Sequence, residues 1–354
     1  MTKHDPLLAA AQRARAAIPD DPAMLRAAAD LAREFAAASP RIYWTDLALS
    51  ALIGWGAMAG AILAPSTGVA IAWGIVAMLA LYRAASFIHE LTHIRKGALP
   101  GFRAGWNLIV GIPLMIPSFM YEGVHTQHHA RTRYGTSEDP EYLPLALMKP
   151  WSLPLFILVA ALAPVGLILR FGLLTPLSLL VPPLRAKVIA EFSALSINPA
   201  YRRRAPEGEF ARMWAWQEAG ACLVALALVG SVFAFGWTPL LTYMAIHSAM
   251  TVINQLRTLV AHLWENEGEA MTVTAQYLDS VNVPPPGYLP FLWAPVGLRY
   301  HALHHLLPSV PYHALGAAHA RLMAALEPAS PYRKGNYAGM SPLIAKIARS
   351  TMGR

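Results

Sequence analysis

Eight histidines fall into three short clusters: His89-Glu90-Leu91-Thr92-His93, His125-Thr126-Gln127-His128-His129 and His301-Ala302-Leu303-His304-His305. On a helix, residues three or four apart share a face, with Cβ atoms about 5–6 Å apart. Imidazoles so spaced can share one metal ion or hold two adjacent ones, and their nitrogens suit iron, zinc, copper and nickel. One cluster could arise by chance. Three, two of them repeating H-x-x-H-H, point to a metal centre. The first cluster alone also reads as H-E-x-x-H, the helix of zinc proteases with glutamate as general base. Three protein ligands and a water complete a catalytic zinc site, so both H-x-x-H-H clusters would then be surplus. The one cysteine, Cys222, excludes an intramolecular disulfide, a cysteine-ligated zinc ribbon and an iron–sulfur cluster.

The elements that must position these histidines are apolar. The chain has 354 residues, 56% hydrophobic and 14% charged, where a soluble domain carries about 25% charged residues. An integral membrane protein follows. The net charge of +8 comes from Lys and Arg lying between apolar spans, which argues against a nucleic-acid partner and for loops beside anionic lipid. Residues 45–64, 68–88, 214–235 and 238–257 each supply the roughly 20 residues a crossing needs. Their turns, Pro65-Ser66-Thr67 and Gly236-Trp237, are uncharged. The opposite ends carry Arg41, Arg95, Lys96, Arg103, Arg131, Arg133, Arg202, Arg203, Arg204 and Arg257. The predicted fold is all-α: four transmembrane helices in two hairpins under a cytoplasmic histidine-rich cap, with both termini cytoplasmic. Its expected location is multi-pass in a bacterial inner membrane.

Two further apolar stretches constrain this topology. Residues 107–120 are too few to cross and are broken by Pro113 and Pro117. Residues 151–183 are numerous enough but hold Pro154, Pro164, Pro176 and Arg170. If the histidines form one site, an even number of crossings separates the clusters, so 151–183 must lie in the interface or enter and return. Depth agrees with a shared site. About 20 residues from Gly68 reach the surface near Ile88, and as many from Thr238 reach it near Thr258. His89, His93 and His262 then arrive at one level. Residues 1–40 read as a cytoplasmic amphipathic arm, 41–326 as the membrane domain and 327–354 as a cytoplasmic tail. The arm is no secretory signal, since it carries Asp20, Asp21, Asp30 and Glu34 and has no continuous apolar run.

The order H-x-x-x-H, H-x-x-H-H, H-x-x-H-H on apolar hairpins resembles the membrane fatty acid desaturase superfamily. That superfamily includes lipid hydroxylases and fatty acid decarboxylases that form terminal alkenes. The resemblance spans about residues 41–326. Ala261-His262-Leu263-Trp264 is similar to the segment with which acyl-CoA desaturases supply a ninth histidine. The resemblance therefore implies two iron ions held by His89, His93, His125, His128, His129, His262, His301, His304 and His305, with O2 as co-substrate. It implies no catalytic side chain beyond the ligands. Acyl-CoA desaturases place an asparagine four residues before the ninth histidine, where it holds a metal-bound water. Here that position is Thr258, and Asn254 lies one turn earlier.

Other residues have two readings. Asp139 and Asp279 either orient metal-bound histidines or are solvated loop acids. His247 and Thr251 either line an acyl tunnel or hydrogen-bond within the bundle. The activity implied is O2-dependent oxidation of a fatty acyl chain drawn from membrane lipid. Desaturation is the expected outcome, with alkene-forming decarboxylation, lipid hydroxylation and, remotely, zinc proteolysis as alternatives. The sequence contains neither a dinucleotide fingerprint nor the His-Pro-Gly-Gly element of a fused cytochrome b5. Electrons must come from a separate ferredoxin, rubredoxin or cytochrome with its reductase. Arg131, Arg133 and Arg202–Arg204 are expected to dock that acidic carrier or to hold anionic lipid.

Overall fold

The computed structural model describes residues 18–95 and 97–352, so the start of the expected N-terminal arm, Lys96 and the last two residues of the tail lie outside the described residues. The described residues are mostly helical, with isolated β-bridges and no strand. Asp21 caps helix α1 (Pro22–Glu34) by accepting from the amides of Ala23 and Met24. Met24, Ala28 and Leu31, spaced i, i+4, i+7, form its buried face. They pack with Ala302 and Leu303 from the third histidine cluster. The amphipathic segment read from the sequence thus buries its apolar stripe against protein.

Helices α2 (Pro40–Ile62) and α3 (Thr67–His93) run antiparallel. Tyr43 hydrogen-bonds Glu90, Asp46 pairs with Arg83 at 2.6 Å, and Gly60 faces the ring of Trp73. Their axes approach closely at Gly54, where a Cβ would lie 2.7 Å from the Leu81 side chain. Helix α4 (Ser152–Leu169) continues through a π-helical turn (Arg170–Leu174) to Leu180, and α5 (Pro182–Phe192) follows. Helices α6 (Gly208–Phe235) and α7 (Thr238–Leu259) complete the bundle.

Four described helices are long and apolar enough to cross a membrane: α2, α3, Ser152–Leu180 and α6. Three of the four expected spans are among them, with Ser152–Leu180 standing in place of residues 238–257. Helix α7 forms at the expected place, yet falls short in apolarity because it carries His247, Ser248, Thr251, Asn254, Gln255 and Arg257. The reason is its position. It packs against α2, α3, α4 and α6 at once, leaving only a narrow exposed face at Thr238, Leu241, Ala245 and Ala249. Its hydroxyls answer carbonyls of α4: Ser248 to Ala161 and Thr251 to Ala160, each at 2.7 Å.

The segment that takes its place in that set, Ser152–Leu180, is tied at both flanks to one unit. Before it, Ala146 accepts from Ser350. After it, Leu195 donates to the Met120 carbonyl, and Ile197 and Asn198 donate to that of Pro140. Met120, Pro140 and Ala146 all flank the second histidine cluster. Arg170 interrupts its apolar surface midway: its Nη2 bonds Glu218 of α6 at 2.7 Å and Ser193 at 2.8 Å, while Glu218 also takes Arg185 at 2.6 Å. A buried guanidinium needs such partners. The shorter apolar stretch also folds back on itself. Asn107 receives the Ser118 amide at 2.8 Å, and Trp55, Tyr243 and Gln217 satisfy Ile109, Pro113 and Phe119 of its backbone. Non-helical backbone at membrane depth requires such partners from the surrounding protein.

Candidate metal centre

The first cluster ends α3, where a 3.6-residue period puts His89 and His93 on one face. The second occupies a single turn, His125–His128, and the third opens a short helix, His301–Leu306. His262 follows α7 by three residues, held in a bridge with Ser280. These elements bring all nine expected histidines together. Candidate ligand atoms of His89, His93, His125 and His304 lie within 4.8 Å of one another, and so do those of His128, His262, His301 and His305. The His129 ring lies between the groups, 4.7 Å from that of His93 and 4.3 Å from that of His305.

The nitrogens converge as ligands would. Nε2 to Nε2 distances are 2.8 Å for His89–His304, 3.1 Å for His93–His304 and 3.0 Å for His125–His129. In the second group they are 2.9 Å for His262–His301 and 3.1 Å for His301–His305. Two nitrogens at about 2.1 Å from one metal ion and at right angles to each other are about 3.0 Å apart. Burial, with neighbouring imidazoles, pushes His125, His129, His262, His301, His304 and His305 well below the ordinary histidine range. They are therefore neutral, with lone pairs available to a metal. The donor set fits a pair of metal ions.

Outer partners fix which nitrogen points inward. Asp139, wholly buried, accepts from His128 Nδ1 at 2.9 Å and from the amides of Gly135 and Glu141. Gly135 sits at φ +70°, a conformation glycine adopts without strain, so the loop can bend back over Asp139. Burial disfavours charge on His128, but Asp139, with Glu141 and Asp279 behind it, outweighs burial and raises its pKa. Glu141 accepts from His125 Nδ1 at 2.8 Å and from Tyr121 at 2.7 Å, and burial lifts its own pKa to about 7. Asp279 accepts from the hydroxyls of Tyr134 and Tyr142, both at 2.9 Å. With its proton so engaged, Tyr134 accepts from His262 Nδ1 at 2.8 Å. In all three histidines Nδ1 carries the proton and Nε2 faces the cluster.

Asp139 is thus a buried partner of His128, and Asp279 a buried acid that reaches His262 through Tyr134, so neither is solvated. Sequence reasoning missed the tyrosines: Tyr121 stands four residues before His125, one helical turn away, whereas Tyr134 and Tyr142 occupy no periodic position relative to the clusters. Glu90 faces away from base chemistry. Its carboxylate receives the Tyr43 hydroxyl and the Tyr312 amide, so it is engaged with protein and not with the converging nitrogens. Asn254 accepts from Arg257 at 3.1 Å, and neither Asn254 nor Thr258 hydrogen-bonds to a histidine among the described residues. Arg257, another residue missed, lies close enough to act electrostatically on His262, His301 and His304. His247 is fully buried, and neither ring nitrogen has a hydrogen-bond partner among the described residues. Thr251 bonds to α4 and so lines a helix contact.

Residues 65–336 match the family model for fatty acid desaturases. The chain belongs to this family. It is also 47% identical over 332 residues to a ceramide hydroxylase of Caulobacter vibrioides (strain NA1000 / CB15N), covering 93% of this chain and 94% of that one. No solved structure matches it. As a family member the chain is a multi-pass membrane oxidoreductase of lipid metabolism whose histidine clusters indicate a metal cofactor.

Proposed function

We propose that this protein is a lipid hydroxylase that inserts one oxygen atom into a chain carbon of a ceramide-type lipid. The observation that carries the reading is the end-to-end similarity to a ceramide hydroxylase, on a chain whose nine histidines converge. It moves the expected outcome from desaturation to hydroxylation. Nothing in the site geometry favours alkene formation. The balance is R–H + O2 + 2 electrons + 2 protons → R–OH + H2O. Two iron ions, when bound, supply the O2 activation. His89, His93, His125 and His304 would hold one and His128, His262, His301 and His305 the other, with His129 between them. Asp139, Glu141 and the Tyr134–Asp279 pair keep three imidazoles in the required tautomer. Burial of the cluster keeps water away.

On this reading residues 41–326 are the catalytic domain, flanked by an N-terminal arm and a C-terminal tail. The histidine face and both termini are cytoplasmic, in a bacterial inner membrane. A separate acidic ferredoxin, rubredoxin or cytochrome, fed by its reductase, delivers the electrons. A cleft of about 930 Å³ beside Gln127 of the second cluster, where Arg133, Arg202, Arg203 and Arg204 outnumber Glu122, Glu138 and Glu207, supports that docking. The test is expression in a ceramide-containing membrane host under 18O2, with lipids read by mass spectrometry. The expected product is a ceramide carrying one 18O. Lipids that have lost two hydrogens and gained no label would return the assignment to desaturation.

A further inference from the structure

Between Val281 and Leu298 the sequence has no charged residue. Within it, residues 288–293 expose large apolar side chains: Tyr288 is 91%, Leu289 71% and Phe291 60% accessible. A contiguous apolar patch of this kind marks an interaction surface. The short helix α8 (Pro290–Trp293) packs across α3 and α7, the helices that lead to His89 and His262. Two contacts fix its level. The Trp293 carbonyl accepts from Tyr82 at 2.9 Å, and Phe291 lies over the Arg83 guanidinium, 4.9 Å from ring centre to cation. Tyr82 stands seven residues before His89, about 10 Å down α3. Arg83 pairs with Asp46 of α2, which lies between the exposed Ile42 and Leu49. The exposed residues of 288–293 therefore stand level with lipid-facing positions of α2. Arg299 anchors the base of the segment through the carbonyls of Val283 and Gly287.

We propose that residues 288–293 form a wedge inserted into the bilayer beside α3 and α7, bordering the path by which lipid reaches the histidines. The occupant of the apolar surface is lipid hydrocarbon. The level of Phe291, its continuity with the lipid-facing side of α2 and the absence of charge all fit that occupant. Tyr288 and Trp293 supply the aromatic anchors common at the membrane boundary. The non-helical backbone before α8 is tolerated at this depth because it rests on protein. The access half of the proposal rests on the hydroxylase reading. The insertion half does not.

The test uses full-length protein in lipid nanodiscs. With Cys222→Ala as background, Leu289→Cys and, independently, Tyr288→Cys are labelled with an environment-sensitive fluorophore. Glu267→Cys, exposed on the cap, is the aqueous control. Brominated acyl chains are expected to quench the labels at 288 and 289 several-fold more than the control, and aqueous iodide the reverse. Iodide quenching at 288 and 289 without an effect of brominated chains would overturn insertion and assign the patch to a protein partner. The double variant Leu289→Asp/Phe291→Asp is expected to raise KM for bilayer-borne ceramide several-fold at unchanged metal content. An unchanged KM overturns the access role. Absence of hydroxylated lipid from the unmodified protein would count against the hydroxylase reading alone, because quenching is read without turnover.

Discussion

The two groups of four histidines are held in place by different means. His89 and His93 of the first group end a long, packed helix, so α3 itself sets their spacing and direction. Beyond that helix, the hydrogen-bonded support of the group is Glu141, whose side chain is 17% exposed, with Tyr121. The second group has no long helix. His128, His301 and His305 lie on single turns and His262 follows a helix end. Its support is two fully buried carboxylates, Asp139 directly and Asp279 through Tyr134. Where no long helix orients them, His128 and His262 are oriented by buried hydrogen bonds. Such groups are costly to leave half-satisfied, which ties the geometry of the second group to its carboxylates.

Several substitutions would break or sharpen this contrast. The largest effect belongs to the ligands. The unmodified protein should carry close to two irons per chain, and His304→Ala or His301→Ala should each cut iron content and abolish turnover, read by elemental analysis and product formation. A single stoichiometric zinc, with turnover surviving loss of His304, would overturn the two-ion centre. Next come the carboxylates. Asp139→Asn should weaken metal retention by about 10–100-fold in chelator competition, and Glu141→Gln by less, because α3 still fixes two of its neighbours. Equal losses would erase the distinction between the groups. The smallest effect should come from Tyr134→Phe, which leaves Asp279 its bond from Tyr142. Loss of its two hydrogen bonds, to Asp279 and from His262, predicts about 2 kcal/mol in thermal or denaturant stability, with iron still bound because His262 Nδ1 keeps Ser280 Oγ at 3.2 Å. Complete metal loss there would mean that the tyrosine, not the histidine, sets the second group.

The local signals in the sequence carried much of this. Spacing alone marked eight of the nine histidines, and the match around His262 added the ninth, because i, i+3 and i, i+4 patterns survive in any local reading. The helices were legible for the same reason. What depended on distant partners was not. His247 and Thr251 read as tunnel or bundle residues, and for Thr251 only the position of α4 decides between these. Asp139 and Asp279 read as loop acids at least as well as ligand supports, because their burial is set by Asn198, Tyr134 and Tyr142, 59 to 145 residues away. Helix α7 was legible although it is less apolar than the other spans, and only its packing against α2, α3, α4 and α6 explains its polar side chains.

The ion pair between Arg170 and Glu218 also has a consequence in time. Glu218 is encoded 48 residues after its partner, so at about 5–20 residues per second it leaves the ribosome roughly 2–10 s later. Until then the guanidinium is uncompensated within an apolar stretch, at a cost of roughly 2.5–3.5 kcal/mol near the middle of a bilayer. That cost disfavours settling Ser152–Leu180 as a straight crossing before α6 is made. Glycosylation mapping of nascent chains ending before Gly208 should place both flanks of the segment on one side, and Arg170→Leu should let it cross. Both flanks already on opposite sides in the unmodified nascent chain would sink this order of events. The arginine acts as a checkpoint in biogenesis, holding the segment back until the helix that neutralises it arrives.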